Sequence, residues 1–321
     1  MRMKKLVWGV VILLGMLTSC SEEENNSSQD TVMQLISPRV SAMVENETSS
    51  YSPLTGVLEA YPCQSQSSIY FGNYTQGKLT PFYGYYIIQD GHVTGDNNRV
   101  LNLPEGSYNM VYWGTPKYEE PTYSTPAISE PGLQIGADLA QLYFSLRANG
   151  DGTYMPVFDM VHAIKEMDTS EDFQASLQRV VAGLKVIVKR KDNGIFDSDI
   201  LKMQVQIGGI AEKLNVYTAE PENQTKTVQF DLVRSEDGTS MSNATVMLFP
   251  SAEHPQLDLL ITTQDGKTHR LTKTLETTLS ANTRLTLQIL LGEVLPSERK
   301  GNFTIENWRE ASETIEFIVE E

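Results

Sequence analysis

Cysteine, histidine and long apolar runs are all scarce in this sequence, and each scarcity excludes something. Two cysteines, Cys20 and Cys63, stand among 321 residues, too few for the disulfide framework that stabilises small secreted folds. The four histidines are His92, His162, His254 and His269, and none has a second His or Cys at metal-ligand spacing, so no metal is expected. The nucleophile elbow Gly-x-Ser-x-Gly, the phosphate-binding loop and the dinucleotide fingerprint are all missing, and with them the common signatures of hydrolases and nucleotide enzymes. No enzyme activity and no cofactor are expected. Basic residues are few as well, 25 Lys and Arg against 41 Asp and Glu, a net charge of −16. Such a body repels phosphate backbones, which argues against nucleic acid as a partner.

What is present begins at the N-terminus. Arg2, Lys4 and Lys5 precede an apolar stretch from Leu6 to Met16. That stretch is shorter than the roughly 20 residues a membrane-spanning helix needs, and has the charge order of an export signal. It ends in Leu17-Thr18-Ser19-Cys20, which is similar to the lipobox of bacterial lipoproteins. Residues 1–19 are therefore expected to be a lipoprotein signal peptide. Cys20 is expected to be the lipidation site, carrying a diacylglycerol and a further acyl chain such as palmitate, because two or three chains anchor stably where one does not. Cys63 is then left without a disulfide partner and reads as a half-buried structural residue. The signal carries three of the 25 basic residues and none of the 41 acidic ones, so the processed chain has a net charge near −19.

Residues 20–32 comprise the lipidated cysteine and an acidic tether, Ser21-Glu22-Glu23-Glu24-Asn25-Asn26 onward, with almost nothing apolar to pack. An acidic cluster at this position resembles the surface-export signal of Bacteroidota lipoproteins. The expected location is the outer membrane, lipid-anchored and facing outward.

The remaining 289 residues, 33–321, read as all-β. Leu201, Met203, Val205 and Ile207 alternate with Lys202, Gln204 and Gln206, and Val228, Phe230 and Leu232 with Gln229 and Asp231. Leu257, Leu259 and Ile261 form a third face, Leu285, Leu287, Ile289 and Leu291 a fourth, and Ile315, Phe317 and Val319 a fifth. This period of two marks strands with one buried face. Turn signals stand at Asp192-Asn193-Gly194, Asp265-Gly266 and Pro104-Glu105-Gly106. The pattern predicts two antiparallel β-sandwich domains of transthyretin-like or Ig-like type in tandem, residues 33–168 and 169–321. Thr169 to Leu177 is expected to make one or two helical turns, Asp138 to Leu146 a short helix or an edge strand, and Pro116 to Pro131 a surface loop.

Other candidate sites are sparse. Asp159 and His162 lie three apart and are expected to form a structural pair. The carboxylate pairs Glu119-Glu120, Glu171-Asp172 and Glu236-Asp237 fall in polar stretches, which suits solvated faces rather than a glycosidase dyad. Tyr70, Phe71, Tyr74, Phe82, Tyr83, Tyr85 and Tyr86 are dense enough to stack on sugar rings, yet the same residues favour strand packing.

The chain carries in order the lipobox, Leu103-Pro104-Glu105-Gly106-Ser107-Tyr108 running into Val111-Tyr112-Trp113-Gly114, Tyr154-Met155-Pro156-Val157-Phe158-Asp159, Arg179-Val180-Val181-Ala182-Gly183-Leu184, the strand after Ser280-Ala281-Asn282, and Trp308 before the last strand. Together these segments resemble the type V fimbrial anchor family of Bacteroidota, lipoproteins related to the minor-fimbria anchor subunit. The resemblance implies two transthyretin-like sandwiches, no catalysis, and a role in anchoring a surface filament and limiting its length. The implied partners are fimbrial subunits, bound by β-strand addition, and the outer membrane. In this family the stalk subunits are freed from lipid by cleavage after an N-terminal arginine. Arg39, in Ser37-Pro38-Arg39-Val40, is the candidate here, and its cleavage would instead mark a stalk or tip subunit. A surface glycan-binding lipoprotein of a polysaccharide-uptake system is the competing reading.

Overall fold

The computed structural model describes residues 33–45, 50–82, 85–94, 100–116, 132–292 and 312–315, and the backbone alone of 127–128, 309–311 and 316–318. Cys20, the acidic tether, Tyr83, Glu119-Glu120 and Trp308 lie outside the described residues. The chain is all-β: among the described residues the only helical element is the 3-10 turn Leu139–Gln141.

The first sheet is built around two strands buried on both faces, Gly56–Gln64 and Ser107–Pro116, paired antiparallel. The Ser107–Pro116 strand is buried continuously from Tyr108 to Gly114, which is why its sequence reads as an apolar run with no alternation. Val161–Asp168 and then Phe173–Arg179 extend the sheet on one side. On the other side come Tyr86–Gln89, His92–Val93, Val40–Glu45 and Tyr51–Pro53. The sheet then closes on itself, because Val40–Val44 pairs in parallel with Phe173–Leu177. Leu58, Ala60, Met110, Tyr112, Phe173 and Leu177 fill the interior.

Thr169–Leu177 is not helical. Phe173, Ala175 and Leu177 are buried while Gln174, Ser176 and Gln178 are exposed, a strand alternation that outweighs the cap-like Thr169 and Asp172. Thr169 instead accepts a hydrogen bond from the Gly106 amide through its hydroxyl. Because Phe173–Arg179 hydrogen-bonds into the first sheet, that sheet extends past residue 168.

Among the described residues the larger array carries eleven strands. Its spine is the long antiparallel pair Ile200–Asn215 and Pro221–Arg234. The hairpin Gln256–Thr263 and Thr268–Thr274 lies along the first of these. Ala182–Arg190 pairs in parallel with Thr283–Gly292, and that strand in parallel with Arg309–Ile318. Among the described residues pairing is mostly antiparallel, with three parallel strand pairs, two here and one closing the first sheet, that the sequence pattern does not announce. The alternating faces hold: Met203, Val205, Ile207, Val228, Phe230, Leu232, Leu285, Leu287 and Ile289 are all buried. Leu201 departs from the pattern at 69% exposure. The register slips between Ile200 and Lys202, and such a bulge turns a side chain out of its face. Asp138–Leu146 holds the 3-10 turn Leu139–Gln141 and then the strand Tyr143–Ser145, which pairs on both sides, with Ala127–Ile128 and with Ile200–Asn215, and so is not the edge strand expected.

The two cores meet across the first sheet. Residues 61, 63, 111 and 113 point away from its interior: Tyr61, Cys63, Val111 and Trp113 belong to the larger core, with Leu139, Phe144 and Val216.

Candidate functional site

Two regions bear on function: the point where the tether meets the fold, and the polar junction between the sheets. At the first, Leu35–Ile36 pairs antiparallel with Leu103–Pro104 over only two residues. The Ser37 hydroxyl donates to Asn102 at 2.6 Å, and the Glu105 amide to the Gln34 carbonyl at 3.3 Å. Pro38, which lacks an N–H, separates this short contact from the strand Val40–Glu45. Arg39 lies between them with its side chain exposed. Its backbone is held: the Arg39 carbonyl accepts from the Phe173 amide at 2.7 Å, and the next side chain, Val40, is only 8% exposed. A cavity of about 380 Å³ lies beside it, lined by Pro38, Arg39, Tyr86, His92, Val93 and Leu101 among others.

At the junction, Glu59, Trp113 and His162 stand side by side on three neighbouring strands, since Glu59 pairs with Trp113 and Trp113 with His162. The Trp113 indole donates through Nε1 to the Val216 carbonyl at 2.8 Å. The Trp113 ring also lies 4.6 Å from His162 and 4.8 Å from Phe144. Four residues earlier on the same strand face, Asn109 donates to the Tyr217 hydroxyl at 2.6 Å and to the Ser67 carbonyl at 2.9 Å. Asn215 braces this corner by accepting from the Tyr217 and Thr218 amides and donating to the Ala140 carbonyl.

Burial governs the titrating groups here. Desolvation raises the Glu59 carboxyl above its usual range, opposed by the hydrogen bond it accepts from Tyr61. Desolvation also pushes Cys63 up to about 12, assisted by the charge of Asp138, which makes it a poor nucleophile. Cys63 is fully buried, beyond the half-burial expected. Asp159 does not pair with His162: Arg179 grips it in a bidentate contact of 2.8–3.1 Å. Burial raises the Asp159 carboxyl and Arg179 opposes that rise. His92, His254 and His269 are exposed and far apart in sequence, and among the described residues no group of His, Cys, Asp and Glu is placed to hold a metal. Glu171, Asp172, Glu236 and Asp237 are exposed. Of the aromatic group, Tyr70, Phe82 and Tyr86 are core residues, and Phe71 packs edge-on against Tyr108.

Residues 37–314 match the family described as fimbrillin-A associated anchor proteins Mfa1 and Mfa2. The chain belongs to this anchor family. A search of curated protein sequences gives no match. Among solved structures, the chain is similar to the fimbrial anchor protein Mfa2 from Porphyromonas gingivalis, with 12% identity and a TM-score of 0.40 over 74% of this chain and 83% of that one. It is also similar to a candidate adhesin from Bacteroides ovatus, with 11% identity and a TM-score of 0.47 over 92% and 98%. A candidate cell adhesion protein from Bacteroides uniformis gives 14% and 0.46 over 80% and 93%. The match to the anchor family begins beside Arg39, so the lipobox lies outside it. Sequence reading missed Asn109 and Asn215, the two amides that fix the junction; neither stands in a pattern that separates it from an ordinary strand or turn asparagine.

Proposed function

We propose that this chain is the base of a surface fimbrium, fixed to the outer membrane through lipid on Cys20. In this reading it joins the last fimbrial subunit by β-strand addition, in which backbone bonds along a sheet edge give affinity and alternate side chains set register. A permanently tethered end subunit stops further growth, which limits filament length. The observation that carries the reading is the anchor-family match across residues 37–314, joined to a lipobox at the other end of a short acidic tether. Two sandwiches in tandem are part of the proposal, with the border drawn after Arg179 rather than at residue 168, since Phe173–Arg179 bonds into the first sheet.

The held carbonyl of Arg39 and the buried Val40 support retention of the tether over release by cleavage. Among the described residues no helix is long and apolar enough to cross a membrane, so this reading places attachment on the acyl chains. A deletion strain tests it. Loss of the protein is expected to give long fimbriae shed into the medium, and the intact protein is expected to co-purify with filament subunits. Unchanged filament length and attachment in the deletion strain would overturn the proposal.

A further inference from the structure

The junction between the sheets has a feature that anchoring does not use. His162 is 8% exposed, and its Nε2 is a buried polar atom with no hydrogen-bond partner. The ring is wedged against Trp113, whose indole makes the hydrogen bond to the Val216 carbonyl. The backbone of Tyr217 interacts with the same imidazole. One corner of the larger array, Val216–Tyr217, is therefore gripped by three side chains from one face of the first sheet: Asn109, Trp113 and His162. An added proton on Nε2 would place a cation in a buried site, at a nitrogen that has no hydrogen-bond partner.

We propose that this grip is an acid-released latch between the first sheet and the larger array. No acidic side chain among the described residues shifts this imidazole by its charge. On the Gly56–Gln64 strand, Glu59 stands across Trp113 from His162 and accepts a hydrogen bond from the Tyr61 phenol, and burial raises its carboxyl. On the approach to His162, the Asp159 carboxylate is taken by Arg179. On the adjoining strand, the register partner of His162 is the uncharged Gln178, and on the gripped corner Tyr217 is neutral with its hydroxyl engaged by Asn109. Desolvation lowers the His162 pKa from 6.5 to about 4, with the Tyr217 backbone pulling weakly the other way. The closed latch therefore excludes the proton that the opened one takes up. Between pH 6.5 and 4.5, each unit of acidification favours the open form by about five- to sevenfold. The release is independent of whether a fimbrial subunit is bound.

Hydrogen exchange on the purified full chain, corrected for intrinsic rates, tests the latch at pH 7, 6.5, 5.5 and 4.5. Peptides covering Asn109–Gly114 and Asn215–Glu220 are expected to lose protection by about fortyfold from pH 6.5 to 4.5. A peptide from Thr283–Gly292 is expected to keep its own. In His162→Phe, which keeps a ring against Trp113 but takes no proton, the pH dependence is expected to vanish; His162→Gln serves if the phenylalanine variant does not fold. Constant protection in the wild-type chain would overturn the proposal. So would equal loss in the Thr283–Gly292 peptide, or an unchanged pH profile in a folded variant.

Discussion

The bond after Arg39 gives a quantitative test of whether the tether is kept. An arginine-specific protease needs the scissile carbonyl free and the following residue in its cleft. Here the carbonyl is bonded to the Phe173 amide and Val40 sits in the core. Cleavage requires the start of the Val40–Glu45 strand to peel from Phe173–Arg179. That opening loses two or so backbone hydrogen bonds at about 1 kcal/mol each and the burial of a valine at about 2 kcal/mol. The total of about 4 kcal/mol lowers the cleavable population roughly a thousandfold. The assay is digestion of the native protein with trypsin, following the new N-terminus at Val40 by mass, against a synthetic peptide spanning Ile36 to Met43. The native chain is expected to be cut at this bond about a thousand times more slowly than the peptide. Val40→Ala, which forfeits about 1–2 kcal/mol of that protection, is expected to speed the cut by about tenfold. Equal rates for chain and peptide would refute the reasoning, and so would a Val40→Ala variant cut no faster than wild type.

Three further outcomes follow from the same structure. Arg179→Met leaves the buried Asp159 carboxylate unpaired, and chemical denaturation at pH 7 is expected to show a loss of about 3–5 kcal/mol. Cys63, buried with its thiol pushed up to about 12, is expected to resist iodoacetamide at pH 8 in the native state and to react fully in guanidinium, as read by intact mass. Cys20→Ala is expected to move the protein from the membrane to the soluble fraction while its melting temperature stays unchanged; persistence in the membrane fraction would count against lipid attachment at this residue.

Much of the β architecture was legible because alternation is a local property. The faces of Met203–Ile207, Val228–Leu232 and Leu285–Leu291 needed no partner to be recognised. What stayed hidden depends on partners distant in sequence. The Phe173–Leu177 strand has a clean alternation, yet Thr169 and Asp172 mimic a helix start, and its strand state is settled by Val40–Val44, more than a hundred residues earlier. Leu201 turns outward because its register slips against Gln256–Thr263, which no window around Leu201 contains. The junction was least legible. Trp113 stood out only as part of the Val111–Gly114 motif, and Val216, Asn109 and His162 acquire meaning only when three strands bring them to one face. Cys20 is the reverse case: its expected role rests on four residues alone and lies where the described structure does not reach.

The parallel closure of the first sheet also has a mechanical meaning. A pull on the chain ahead of the fold passes the two-residue contact at Leu35–Ile36 and enters the first sheet at Val40, the start of one strand. The chain passes on towards the larger array at Arg179, the end of that strand's parallel partner. Tension between these two points slides the strands lengthwise past each other, so the interstrand bonds are strained together and must fail together. An antiparallel closure pulled at adjacent ends would open one bond at a time, like a zipper, at a much lower force.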